Sequence, residues 1–209
     1  EQDARLTYLL WQRFKHEISK QNLGTIWNLE RDLLPILIKM RQKGIRVNKE
    51  KAEQLKDNFI KKEKVILQQI NKLVGKDVDI WNARQIGFAF DRLNIEYPKT
   101  PKSGEPSFTQ NWLVNSEHEI SKFIVQAREI NKFHNTFLNS IMKYEHNGRI
   151  HAEINQLRSD SGGTVSGRLS MSNPNLQQLP ARNKEFGPMI RGLFLPEEGN
   201  LWASFDYSQ

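Results

Sequence analysis

The stretch from residue 49 to residue 74 constrains this chain more than any other. Ala52, Leu55, Phe59, Ile66, Ile70 and Leu73 recur at helical intervals, and no Pro or Gly interrupts them before Gly75. That period belongs to an α-helix with one apolar stripe, not to a strand. The rest of its surface is basic. Between Lys39 and Lys64 there are ten Lys or Arg against four Asp or Glu. Such a surplus suits a polyanionic partner, and a plainly solvated helix face carries the same charges.

Other helices flank it. Residues 3–20 place Leu6, Leu9, Leu10 and Phe14 on one face, and residues 25–43 carry Ile26, Leu29, Leu33, Leu34, Leu37 and Met40. Pro35 lies inside the second pattern, where it is expected to kink or split the helix. Gly44 stops that helix, residues 45–47 read as extended, and Asn48 is placed to cap the next one. Asn82 and Gln85 have capping-box spacing and open a helix through about Leu93. Four Pro and Gly positions (Pro98, Pro101, Gly104 and Pro106) make residues 97–108 a loop, expected to be mobile. Ser116 and Glu119 form a second capping box. They start a helix to about Tyr144, with Ile120, Phe123, Ala127, Ile130, Phe137 and Ile141 inward.

The character changes near residue 148. From Arg149 to Gln209 there are six Lys or Arg and six Asp or Glu, so the net charge of +7 lies entirely before that point. Gly and Pro become frequent, residues 150–154 alternate like a half-buried strand, and Leu201 to Phe205 reads as a buried strand. The expectation is α+β: helices first, then a mixed region. There is no internal repeat. Zero cysteines exclude a disulfide framework and any Cys-ligated metal centre. No apolar run is long enough for a membrane span. The chain opens without Met or a signal-peptide pattern and stops directly after an apolar run, so a piece of a larger protein is expected.

The densest cluster of chemistry is GRLSMSNPNLQQLP at 167–180. Arg168 can fork onto a phosphate or a base edge. Asn175, Gln177 and Gln178 both donate and accept, which suits minor-groove edges. Taken alone, the run reads equally well as a polar loop with Arg168 in a structural ion pair. It resembles TGRLSSxxPNLQNIP, a segment characteristic of family A (DNA polymerase I-like) DNA polymerases. DYSQ at 206–209 matches the start of that family's motif A, DYSQIELR. Residues 189–194 (MIRGLF), 196–199 (PEEG), 128–132 (REINK), 31–47 and 2–7 lie where the family has similar residues. The resemblance covers nearly the whole chain.

The resemblance implies a right-hand polymerase fold. Residues 1–22 would end a 3′–5′ exonuclease-like domain. Residues 23–148 would form the thumb, mainly long antiparallel helices, with its connecting helices. Residues 149–209 would begin an antiparallel-sheet palm that ends in motif A. It implies that Asp206 is catalytic and ligates two Mg²⁺ ions with the Tyr207 backbone carbonyl. It implies contacts to primer–template DNA by Arg128, Lys132, Arg168, Asn175, Gln177, Gln178, Arg182 and Arg191, with Arg191 open to a structural ion pair instead. Asp3 would be the vestige of an exonuclease motif. The implied reaction adds dNTPs to a primer 3′-hydroxyl, in the cytoplasm of a bacterium or phage-infected host, with an organelle as the alternative. The glutamate of IELR, the fingers helix and the later HDE motif are missing. A C-terminal portion, in the same or a second chain, would have to supply them, and residues 1–209 alone are expected to be inactive. The alternative is a non-catalytic duplex-binding module. Ser166, Met171, Gln178 and Phe137 depart from the family pattern, and Phe137 lacks a hydroxyl that the family often has there.

Overall fold

A computed structural model describes residues 2–159, 162–181 and 183–207. The chain divides into two compact units, Glu1–Arg46 with Arg149–Gln178 and Val47–Gly148 with Leu179–Gln209.

In the first unit, α1 (Gln2–Lys20) and α2 (Gly24–Lys43) form a hairpin through Asn22, whose φ is 56°. Trp11 and Trp27 stack across it with centroids 5.1 Å apart. The expected helices are there, but their apolar faces are not buried. Leu6, Leu9, Leu10 and Phe14 are each 51–53% exposed, and in α2 only Leu37 is buried. Pro35 does not split α2. The carbonyl its missing N–H would have served belongs to exposed Arg31, where water can take its place.

Gly44 ends α2 with φ 64°. A Cβ there would lie 2.8 Å from both the His151 ring and the Ile150 carbonyl, so the close turn requires glycine. It feeds β1 (Ile45–Val47), which pairs antiparallel with β3 (Arg149–Ile150) in the register Ile45↔Ile150 and Arg46↔Arg149. β2 (Glu145–His146) precedes β3 in the chain. The alternating segment 150–154 is two pieces, β3 and β4 (Glu153–Asn155). β4 pairs antiparallel with β5 (Ser170–Ser172), Ile154 facing Met171. Glu153 ties this hairpin to α2 by accepting from Arg41 at 3.0 Å.

The second unit is built on α3 (Lys49–Val74), started by Asn48 Oδ1 accepting from the Lys51 N–H. Ala52, Phe59, Ile66, Ile70 and Val74 are its buried stripe. They pack on Ile120, Ile124, Ala127 and Ile130 of α6 (Glu119–Lys132). Each fully buried Ile, Val or Phe side chain in this seam contributes roughly 1.5–3 kcal/mol. The Ser116 capping box does not form. The residue before α6 is His118, which makes no side-chain cap bond, while Ser116 Oγ accepts from Ser121. After Lys132 the helix widens into a π-turn, Phe133–Leu138, and resumes as α7 (Asn139–Tyr144). The extra residue shifts the stripe by one position. Leu138 is therefore fully buried, and Phe137 only half so.

Between α3 and α6 lie α4 (Ala83–Arg92) and α5 (Gln110–Asn115). Asn82 caps α4 from one side only: Gln85 Oε1 accepts from Asp79 N–H rather than closing the box. Residues 97–108 fold back on α4. Thr100 N–H donates to the Glu105 carbonyl at 2.8 Å, and Phe90, Tyr97, Phe108 and Trp112 form one ring cluster. A Cβ on Gly87 would stand 2.9 Å from Pro106 Cγ, which shows how tightly the loop seats. α8 (Phe186–Arg191) and β6 (Phe194–Leu195) complete the described elements. Leu201 to Phe205 is not a strand. No ladder partner lies beside it among the described residues, and Leu201 and Phe205 are 93% and 94% exposed. An apolar run becomes a strand only when a neighbour accepts its backbone hydrogen bonds.

Candidate nucleic-acid interface

In the first unit, residues 167–178 of the run form a polar turn braced from within. Gln177 does the bracing: its Oε1 accepts from Met171 N–H at 3.1 Å and its Nε2 donates to the Leu169 carbonyl at 3.1 Å. Asn175 Oδ1 accepts from the Gln177 N–H, opening the 3₁₀ turn Leu176–Gln178. Thr164 Oγ1 donates to the Arg168 carbonyl, and Gly163 N–H donates to Ser170 Oγ. These bonds consume backbone groups and leave Arg168, Asn175 and Gln178 exposed. Gln177, also exposed, has both ends of its amide bonded inside the loop, and Asn175 has its oxygen so bonded. Arg182 lies outside the described residues.

In the second unit, Arg128 and Lys132 share a face of α6 but not a setting. Arg128 donates from Nε and Nη2 to the carbonyl of buried Ile80, at 3.1 and 2.6 Å, and its guanidinium stands 5.6 Å from the Trp81 ring. Burial pulls its pKa below the ordinary arginine value. Lys132 is exposed, near the edge of contact with the Phe137 ring at 6.0 Å. From Asn131 to Tyr144 there is no carboxylate. Along that stretch Asn139 donates to Asn135 at 3.0 Å, leaving a row of amides flanked by Lys132 and Lys143.

The charges of α3 divide in the same way. Lys49 pairs with Glu145 at 3.0 Å and Lys62 with Glu185 at 2.6 Å. Lys51, Lys61 and Lys64 remain exposed. Glu145 is held below the usual carboxylate range by the Gly148 N–H and then by Lys49. Lys49 is raised in turn by its bond to Glu145.

Sequence reasoning missed a largely buried cluster that joins α3 to α6 and the π-turn. Glu63 accepts from Asn131 at 2.9 Å and meets His134 Nε2 at 2.6 Å, with side chains only 12% and 8% exposed for Glu63 and His134. By composition alone Glu63 is one of four acidic residues in the basic stretch from Lys39 to Lys64. The available signal was its place three residues before Ile66, on the buried stripe.

Arg191 ends α8 and is exposed, as are Asp206 and Tyr207. Asp3 lies exposed in the first turn of α1. Among the described residues no three His, Asp or Glu side chains could share a metal ion. Asp206 alone does not fit two Mg²⁺ ions, each of which wants about six oxygen ligands.

Long helices and short antiparallel strands make this an α+β fold, with basic and amide side chains among its exposed residues. Comparison with known proteins makes this specific. The model of DNA polymerase family A matches residues 49–209. A DNA-directed DNA polymerase of Pseudomonas phage M6 is 37% identical over 100% of this chain and 33% of its own length. DNA polymerase DpoZ of Acinetobacter phage SH-Ab 15497 is 32% identical over 99% of the chain and 36% of its own length. The POL domain of Pol1 from M. smegmatis, solved in complex with DNA primer-template and dNTP, superposes with a TM-score of 0.65. It is 28% identical and covers 78% of this chain and 28% of the other. The chain belongs to DNA polymerase family A, and it spans about a third of the length of these phage relatives. No helix among the described residues is long and apolar enough to cross a membrane.

Proposed function

We propose that this chain is the duplex-gripping part of a template-directed DNA polymerase that works in the cytoplasm of a bacterium or phage-infected host. Residues 23–148 act as thumb with connecting helices, and 149–209 as the start of the palm. The observation that carries the reading is the braced loop at 167–180, which presents Arg168, Asn175 and Gln178 outward while Gln177 holds its shape. A rigid loop with a guanidinium and neutral amides fits a duplex backbone and minor groove better than a flexible one would, because less ordering entropy is lost on binding.

Lys132, Arg182 and Arg191 join as backbone contacts. Arg128 reaches the DNA with what its fork leaves free after Ile80. Asp206 is the carboxylate this part contributes to nucleotide addition, with the Tyr207 carbonyl beside it. Since one carboxylate does not fit two Mg²⁺ ions, the remaining ligands and the dNTP grip belong to a C-terminal portion, in the same or another chain. Residues 1–22 are the end of an exonuclease-like domain, with Asp3 its vestige. The unburied apolar faces of α1 and α2 support that placement, since a neighbouring domain would cover them.

Mixing the chain with a C-terminal fingers-and-palm portion of a family A polymerase tests the proposal. Primer extension by the mixture, abolished by Asp206→Ala, is expected. DNA binding with no extension under any complementation would favour a non-catalytic duplex-binding module. Extension by residues 1–209 alone would overturn the division of labour.

A further inference from the structure

Asn183 uses both ends of its amide. Its Oδ1 accepts from the N–H groups of Glu185 at 3.0 Å and Phe186 at 2.6 Å, fixing the turn into α8. Its Nδ2 donates to Glu129 Oε1 on α6 at 2.6 Å. Glu185 then takes Lys62 of α3, and Phe186 packs edge-on to Phe59 at 5.1 Å and Phe133 at 4.9 Å. α8 has six residues, too few to hold a helix unaided. What holds it is this set of contacts to α3, α6 and the π-turn. Its last residue is Arg191, exposed.

We propose that Glu129 and Asn183 are positioning residues that aim Arg191 at the duplex backbone. The inference rests on the reading of Arg191 as a phosphate contact. The chemistry makes the pair directional. The Asn183 oxygen must face the N–H groups of Glu185 and Phe186 where α8 begins, so its NH₂ must face a pure acceptor, and the Glu129 carboxylate is one. A flipped amide would set oxygen against carboxylate and leave the α8 turn without its acceptor. The bond thus selects one amide orientation, and with it one placement of the helix that carries Arg191.

The test is the affinity of the chain for a primer–template duplex over a salt series. The variants are Arg191→Ala, Asn183→Asp, the two combined, and Asn183→Asp with Glu129→Gln. Asn183→Asp keeps the acceptor for α8 but opposes two carboxylates. Arg191→Ala is expected to weaken binding about tenfold and to lower the salt slope by about one. Asn183→Asp should do nearly the same, and adding Arg191→Ala to it should cost nothing more. Glu129→Gln should restore binding in the Asn183→Asp background, because the new amide donates to the new carboxylate. Should Asn183→Asp unfold the chain, that swapped pair still decides: restored binding supports the proposal and failed rescue refutes it. A full tenfold Arg191→Ala penalty in the Asn183→Asp background would overturn the positioning role. No effect of Arg191→Ala in the otherwise unchanged chain would instead remove the phosphate contact itself, and the proposal with it.

Discussion

Arg128→Ala weighs the part Arg128 plays in holding the fold against its share in gripping DNA. The substitution removes both donors from the carbonyl of Ile80, whose residue is 2% exposed. An orphaned buried acceptor costs about 1–3 kcal/mol, and the lost bonds carried a full charge, which puts the site at the upper end of that range. The stack on Trp81 adds about 0.5–1 kcal/mol. Together the expected loss is about 3 kcal/mol, or roughly 6–12 °C in Tm for a chain of this size. Lys132→Ala, one turn away and exposed, should stay within about 0.5 kcal/mol of the parent. Urea unfolding followed by circular dichroism measures both. The paired DNA experiment should show the reverse ranking in salt dependence: Lys132→Ala lowers the slope by about one. If Arg128→Ala leaves stability unchanged while lowering the salt slope, the Ile80 bond is not what Arg128 is for.

Three more outcomes follow from the same geometry. Glu145 has a depressed folded pKa, so its stabilisation is present above the ordinary carboxylate value of 4.5 and is lost as pH falls through the lower folded value. Glu145→Gln should therefore be less stable than the parent at pH 7, with the gap narrowing in acid melts as pH falls below the ordinary carboxylate value. Phe59→Ala, which empties the ring cluster with Phe133 and Phe186, should cost about 3–5 kcal/mol in urea unfolding. Gly163→Ala should distort the 167–180 loop, because its φ is 97° and a Cβ would press on the Leu157 carbonyl. The expected readout is weaker duplex binding with little change in the melting of the second unit.

The long elements were legible because their signals are local. α3 begins at its Asn48 cap and ends before Gly75 as its pattern required, and the motif run marked the loop that proves to be braced. What escaped the sequence depends on partners distant in the chain. Whether Leu6 or Leu10 is buried depends on what lies against α1, and periodicity reports only that such a face exists. The π-turn moved Leu138 into the place expected of Phe137, a one-residue shift that helical spacing cannot register. Residues 97–108 looked loose by composition, yet their Tyr and Phe rings close on Phe90. The Leu201–Phe205 run had strand composition and no strand beside it. In the site, exposure of Arg168 followed from its polar loop, but the diversion of Arg128 to Ile80 and the Glu129–Asn183 bond are contacts across 48 and 54 positions. No local pattern announces them.

The most direct measurement is the affinity of residues 1–209 for primer–template DNA as a function of salt, for the parent chain and Arg168→Ala. A linear fall of log affinity with log salt, and a slope shallower by about one in Arg168→Ala, is what a duplex grip through the 167–180 loop predicts. Absence of binding at low salt, or binding that neither salt nor Arg168→Ala alters, would contradict it.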